Sequence, residues 1–509
     1  MTNQRCATLS LPPVKRAEVG AHEVTALSPH EETGSASLGR DLIFYGASTI
    51  VLQGATVLLT PYLTRRLGPS SYGIYELLQV GIGLLSVVCV LGVDIAVLKR
   101  YYDEPEGPGR RRLVSSGLVL VATFSLTGAA VVVAARRPIT SWLLGGDVSS
   151  SPLLAGAIAL PLLVVMTYVR QALRIAHRPR AYLATSAIAA AVQVAAIVAL
   201  VERERSVAAV FVGVSVGAAA SIVACLWVAR WIVSSEISAR TAYGLVRFGL
   251  PLILTGVSGW SVMFIDRVLL TRFVTLADLG IYGLANKVAM VLNLVIYSFG
   301  AAWPPYILRL AAQDAAAAAR VRARMLNAFV AGVALIGVPA AAFAPEVIRV
   351  VAGRSFAPAA GLVPVLVFAF LLLSSLSITQ IAMLLTEQTG SLARASVMAA
   401  VVNIVGCFAL CPSFGVAGAA WATVLGFGAQ AIVYFWSAQR LDRVDFRLRD
   451  TLLLFAMLGP SLGLGAWDPG LGTALAVKTV VLVGTAAVIW RLDLAHTSEL
   501  RRLRSSTKG

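Results

Sequence analysis

Charged side chains inside apolar runs are where chemistry is to be sought, because an ion at membrane depth costs at least about 2.5 kcal/mol unless it is paired or wetted. Asp266 and Arg267 are adjacent in the run 248–271, and Lys287 lies in the next run, 281–303. Neighbouring helix positions point about 100° apart, so Asp266 and Arg267 should not pair tightly with each other. Lys287 is placed to reach Asp266 across the connecting turn. Such a set forms either a charged wall of a polar cavity or a salt bridge clamping two helices. Arg170, Arg174 and His177 recur at i, i+4 and i+7. That spacing makes one helix face able to collect an anionic phosphate group, or to snorkel toward anionic lipid. Arg40, Asp41 and Asp94 sit near the ends of apolar runs and rank lower, and Glu76 is as readily a rim charge. Pro251, Pro304, Pro305, Pro339 and Pro364 interrupt the runs and free backbone carbonyls, which makes them hinge candidates where they are not static kinks.

Other chemistry finds no support. There is no GxxxxGK[ST] run for ATP hydrolysis. No metal-ligand cluster is legible, and Cys6, Cys89, Cys225, Cys407 and Cys411 lack metal spacing and read as free thiols. The sequence reads as a non-enzyme without a cofactor.

The elements that hold these residues follow from composition. The 509 residues are 58% hydrophobic and 13% charged, with a mean hydropathy of +0.82. A soluble chain of that length needs a polar surface that these residues cannot supply. Residues 1–40 differ: they carry prolines, acids, Ser and Thr with no apolar run, and read as a disordered cytosolic tail without a cleavable signal. Apolar runs then follow at 42–63, 73–97, 113–135, 153–173, 181–201, 207–229, 248–271, 281–303, 325–348, 361–386, 392–411, 415–438, 451–467 and 472–490. The expectation is an all-α integral membrane protein with about fourteen transmembrane helices. The last two runs are the weakest, broken by Pro460 and Lys478. The net charge of +17 belongs to Lys and Arg in the short loops, so it sets topology and does not indicate nucleic acid. With both termini cytosolic, the inner segments hold a large excess of Lys and Arg, as the positive-inside rule requires.

The chain also repeats. LTRRLGPSSYGIYELLQV at 63–80 aligns without gaps to LTRFVTLADLGIYGLANK at 270–287, an offset of 207. A weaker match pairs Ser186, Val192 and Arg230 with Ser396, Val402 and Arg440, an offset of 210. That spacing spans six runs, an even number, so the copies insert in the same orientation, as in parallel-repeat transporters. The expected organisation is a six-helix lobe at 41–247, a second at 248–450, and a helix pair with a basic cytosolic tail at 451–509. Two such lobes around a shared cavity suit alternating access.

Several stretches resemble one family. TRRLGPSSYGIYELL resembles the first outer loop of oligosaccharide flippases in the multidrug/oligosaccharidyl-lipid/polysaccharide (MOP) exporter superfamily. Gly249 to Ala289, with a Gly-Leu-Pro start, the Asp266-Arg267 pair and a Gly-Ile-Tyr turn, is similar to its most characteristic stretch. PEVIRVVAGRSFAPAAGLVPVL, from Pro345, and VVNIVGCFALCPSFGVAGAAWATVL, from Val401 and including Asn403 and Pro412, match two more landmarks. The resemblance implies a flippase in the bacterial cytoplasmic membrane. It would move an undecaprenyl-diphosphate-linked oligosaccharide from the inner to the outer leaflet for surface polysaccharide export. The partners it implies are that polyprenyl-linked glycan, membrane lipid, and a polysaccharide polymerase or glycosyltransferases. Arg170 and Arg267 would contact the diphosphate or sugars, and helices 13 and 14 would help accommodate the polyprenyl tail. Rival readings are a lipid II flippase, a drug/cation antiporter of the same superfamily, and a membrane-embedded polymerase or ligase. The last commonly needs a long outer loop, and the longest outer segment here is 136–152.

Overall fold

A chain this apolar finds no water for its backbone inside a membrane. Every N–H and C=O must be satisfied within its own segment, and a helix does that. In the computed structural model every regular element among the described residues is helical. The structure describes residues 29–456 other than 102, 105–106, 146–147, 177, 231–233, 235 and 387, together with 478–479, 482–484 and 487. The first half of the chain holds α1 (Pro29–Val90), α2 (Val93–Tyr101), α3 (Pro108–Ala134), α4 (Arg136–Leu143), α5 (Ser151–Ile175), α6 (Pro179–Arg203) and α7 (Val207–Val228). The second half holds α8 (Ala239–Leu270), α9 (Leu276–Ala289), α10 (Val291–Gln313), α11 (Ala315–Ala342), α12 (Ala344–Ala352), α13 (Val363–Thr379), α14 (Ile381–Leu385), α15 (Thr389–Leu441) and α16 (Leu448–Ala456).

Among the described residues, nine helices are long and apolar enough to cross a membrane, or ten if the pair Ala239–Leu250 and Leu252–Ser261, bent by 45°, is one span. Two of the continuous helices each cover two expected runs. Helix α1 breaks at Gly68 (φ 72°) and α15 at Gly415 (φ 54°), left-handed backbone that glycine adopts without a Cβ penalty. Helix α1 begins at Pro29, inside the stretch read as a disordered tail; proline in a first turn followed by Glu31 and Glu32 is a favourable helix start. Residues 1–28 and Cys6 lie outside the described residues, as does most of the final two runs.

Small residues let the helices approach. Gly213 and Gly217 of α7, a GxxxG pair, lie against α6, where a Cβ would come within 2.6 Å of Ile197 Cγ1 and 2.5 Å of Gln193 Cβ. Helix α13 is enclosed by α11 and α15 and is buried along nearly its whole length. Large side chains such as Trp227 and Leu254, both 75% exposed, stand on the outer surface, where lipid contact would suit them. Polar fastenings hold the second half. Arg322 is ion-paired with Asp442. Asn327 donates to the Arg447 carbonyl at 3.3 Å and accepts from Thr451 Oγ1 at 2.5 Å, fixing α16 to α11. Lys478, which weakens the last apolar run on sequence, is fully buried, with Nζ 2.8 and 2.9 Å from the two carboxylate oxygens of Glu346. A partner removes most of the objection to a lysine there.

Candidate functional site

The two copies of the repeat meet each other. Helix α9 lies along the part of α1 that follows Gly68. A Cβ on Gly73 would stand 1.8 Å from the Leu276 carbonyl oxygen, and one on Gly280 would stand 2.2 Å from that of Pro69. Gly73 and Gly280 are repeat equivalents, and so are Pro69 and Leu276. The contact is therefore one interaction made twice about a local two-fold axis, and the Gly-Ile-Tyr segments expected as turns are helix residues at this crossing. The corner before each copy is built by different chemistry at equivalent positions. In the first, Gly68 takes a positive φ and Pro69 starts the helix. In the second, Thr275 caps α9 in a reciprocal capping box with Asp278. Two further equivalents reach across to short helices of the opposite half: Arg65 donates to the Val350 carbonyl of α12, and the Arg272 guanidinium lies 4.4 Å from the Trp142 ring centroid of α4.

Three buried charges, Glu76, Asp266 and Arg267, and a partly buried fourth, Lys287, surround this crossing. Lys287 Nζ lies 2.7 Å from Glu76 Oε1 and 3.2 Å from the Tyr72 hydroxyl, with the Tyr72 and Tyr75 rings 5.5 and 5.4 Å away. Glu76 is thus a core residue paired across the two halves, not a rim charge. Lys287 does not reach Asp266. Tyr282 donates to Asp266 instead, and Lys287, five positions further along α9, points about 140° away from Tyr282 toward α1. Asp266 and Arg267 do meet, with Nη1 3.6 Å from Oδ1, because the guanidinium folds back along α8 toward the Met263 carbonyl. Arg267 also faces the Phe264 and Tyr282 rings at 5.2 and 5.8 Å. Thr423 Oγ1 lies 3.4 Å from Asp266 Oδ2, and Asn403 Nδ2 3.4 Å from Thr423 Oγ1, which ties both arms of α15 to the cluster. Two cations and two anions leave no net charge, and that neutrality makes four ions tolerable at this depth.

The other candidates lie apart from this crossing. Arg170 is buried, donates to Ser186 Oγ at 2.8 Å, and stands 4.7 Å from the Tyr182 ring centroid, so its guanidinium is directed at α6. Arg174 is exposed on the same helix, and His177 lies outside the described residues. Asp94 is half-buried in the first turn of α2. Arg40 and Asp41 fall within α1, and their side chains lie outside those described. Pro251 sits at the 45° bend of α8. Pro304 and Pro305 lie inside α10 and Pro339 inside α11, whereas Pro364 opens α13, where no helical hydrogen bond is lost. The two halves also touch away from the repeat crossing, where a Cβ on Gly249 would come within 1.9 Å of the Leu91 carbonyl oxygen. Among the described residues no group of three His, Cys, Asp or Glu side chains could hold a metal ion. Sequence reasoning missed Tyr72, Tyr75, Tyr282 and Thr423 as site residues. For Tyr75 and Tyr282 the signal was present, since the repeat pairs them.

Comparison with known proteins gives the following. The family model for polysaccharide biosynthesis proteins matches residues 38–311, more than half the chain. The probable low-salt glycan biosynthesis flippase Agl15 of Haloferax volcanii is 24% identical over 416 residues, covering 78% of this chain and 82% of that protein. Among solved structures, the lipid II flippase MurJ in an inward closed conformation superposes with a TM-score of 0.67 at 13% identity, over 88% of this chain and 99% of that one. An inward-facing multidrug resistance MATE family transporter of the MOP superfamily gives 0.55 at 14% identity, over 79% and 94%. The fold is shared with these transporters.

Proposed function

The chain belongs to the polysaccharide biosynthesis protein family, and on that premise we propose that it is a flippase for an undecaprenyl-diphosphate-linked oligosaccharide. It carries the head group from the inner to the outer leaflet of the bacterial cytoplasmic membrane, for surface polysaccharide export. The observation that carries this reading is the two-fold-related crossing of the repeats, which brings one end of the two halves together through an ion pair and glycine contacts. A contact held by a few polar groups is one that can part and re-form, as alternating access requires. The excess of Lys and Arg on the opposite side supports an outer-face position for the crossing. The lobes are then 41–247 and 248–450, with residues 451–509 as an appended helix pair and tail.

Energetics favour the same mechanism. Each unpaired sugar hydroxyl would cost several kcal/mol in hydrocarbon, so the head group needs a polar path while its polyprenyl tail stays in lipid. Moving negative charge outward is downhill by about 2.3 kcal/mol per charge per 100 mV in a negative-inside cell. Relatives named as a glycan biosynthesis flippase and a lipid II flippase support the cargo class. The test is translocation of undecaprenyl-diphosphate sugars by purified protein in liposomes, comparing several head groups with lipid II and with cationic dyes. Lipid-linked sugar should cross while dye does not. Dye transport without sugar transport would mean an antiporter.

A further inference from the structure

The first half of the chain contains a cavity of about 260 Å³ between the spans of α1, α5, α6 and α7. Thr56, Tyr75, Gln79, Ser86 and Gln193 line it, with apolar walls that include Leu59, Phe211 and Val214, and none of the described residues that line it is charged. Gln79 lies eleven residues past the Gly68 break, about 16 Å along the helix and so near mid-membrane depth. Amides in such a place are unfavourable unless something hydrogen-bonds to them, at about 1–3 kcal/mol for each group left unmet. Thr56 and Ser86 donate to the Leu52 and Ile82 carbonyls at 3.2 and 2.7 Å, which leaves their lone pairs as acceptors. The glutamine amides supply both donors and acceptors.

The repeat shows what is unusual about this cavity. Leu59, Tyr75 and Gln79 are equivalent by the 207 offset to Asp266, Tyr282 and Asn286. Gln193 and Ile197 are equivalent by the 210 offset to Asn403 and Cys407. The corresponding place in the second half is thus the Asp266–Tyr282–Thr423–Asn403 cluster, closed by its own hydrogen bonds. One position of the duplicated fold is charged and drawn together by hydrogen bonds among its own side chains, and the other is neutral, hydroxyl- and amide-lined, and open.

We propose that the cavity of the first half is a subsite for one uncharged sugar ring. A phosphate would find no cation among the described lining residues, and a purely apolar group would strand the amides. A ring with several hydroxyls and apolar C–H faces meets both kinds of wall. The volume lies below the range of roughly 300–1,000 Å³ typical of drug-sized ligands, which suits a single ring and not a chain. This assignment rests on the flippase reading for the ring's source, a neutral unit of the lipid-linked head group.

The experiment uses the full chain in nanodiscs, with saturation-transfer NMR against glucose, N-acetylglucosamine and the anion glucuronate. The neutral sugars should bind in preference to glucuronate. Gln79→Leu and Gln193→Leu should each weaken neutral-sugar binding by up to about tenfold, the worth of one hydrogen bond. Val214→Phe should abolish binding by filling the space without touching the amides, and a wild-type thermal midpoint shows that each variant is folded. No neutral-sugar signal from the wild type, or equal signals from the three variants, would mean a cavity that holds water only. A second arm compares translocation of undecaprenyl diphosphate carrying one neutral hexose with that of the bare lipid. Selective loss of the glycosylated lipid in the glutamine variants places the ring in the transport path. If the wild type moves both lipids and the variants match it, the subsite fails while the flippase reading stands. If the wild type moves neither, the flippase reading fails and the binding arm alone decides the cavity.

Discussion

Neutralising Glu76 should open the repeat crossing far more than neutralising both members of its ion pair. At 2.7 Å and an effective dielectric of about 20, the Glu76–Lys287 attraction is about 6 kcal/mol. Desolvation, at several kcal/mol per ion, offsets most of that, so the pair is worth little relative to two apolar side chains. Removing one partner is different: it leaves a buried charge and costs about 3–5 kcal/mol. Lys287 keeps 20% exposure, which argues for the lower figure. Because the partners stand on opposite halves, separation rehydrates the orphan, and the whole penalty falls on the closed arrangement. About 3 kcal/mol is a shift of roughly 150-fold in the open population. Glu76→Gln leaves Lys287 without its counter-ion, with an amide oxygen, a tyrosine hydroxyl and two ring faces beside it, whereas Lys287→Met leaves Glu76 with the Arg267 charge still acting on it. The first should therefore open the crossing further than the second, and the double variant should return to within about tenfold of wild type. The assay is maleimide labelling of Thr64→Cys in a background without native cysteines, since Thr64 is 1% exposed with its Oγ1 3.5 Å from the Val351 carbonyl oxygen. Labelling of Glu76→Gln no faster than wild type would refute the reasoning.

Gly73→Ala and Gly280→Ala, which drive a Cβ into a carbonyl oxygen, should each cost about 1–3 kcal/mol of the closed arrangement and speed the same labelling. Asp442→Ala should lower the thermal midpoint more than Arg322→Met, because it strands an arginine that is 3% exposed, whereas Asp442 is 35% exposed and can hydrate when left alone. Tyr282→Phe should cost about 1–3 kcal/mol in thermal unfolding by taking a donor from buried Asp266. Glu346→Gln should destabilise the chain through the fully buried Lys478, read as a lower thermal midpoint that Lys478→Met restores in the double variant.

The membrane-spanning, all-helical character was legible because lipid permits few alternatives, and the repeat was legible because it preserved loop residues as well as apolar ones. The places of the charges were less so. That Asp266, Arg267 and Lys287 would need partners followed from burial alone, but which partners depended on helix rotation. The chain carries Lys287 past Tyr282 by five residues, and that rotation gives Asp266 to the tyrosine and Lys287 to Glu76. Glu76 looked peripheral because it follows a loop by only a few residues, and the helix that it faces comes from the other half of the chain. Lys478 looked like an error in an apolar run for the same reason, its partner being 132 positions away.

Symmetry at the crossing also explains why its chemistry is not symmetric. Where the two helices come closest, equal side chains at equivalent positions would compete for one space, so at that contact backbone and glycine are used twice, as Gly73 and Gly280 are, while larger equivalents such as Tyr75 and Tyr282 stand further from it. Glu76 shows the consequence. Its repeat equivalent is Gly283, and a Cβ on Gly283 would stand 2.7 Å from Glu76 Cγ. The carboxylate can occupy the interface only because its counterpart has no side chain. The other charges are also unmatched, though by uncharged side chains and not by glycine: Asp266, Arg267 and Lys287 stand where the first half has Leu59, Thr60 and Val80. Three of the four ions fall in the second half, and the uncharged cavity falls in the first. A duplicated fold that must close on itself can thus carry unlike chemistry in its two halves, with most of the paired ions in one and the uncharged cavity in the other.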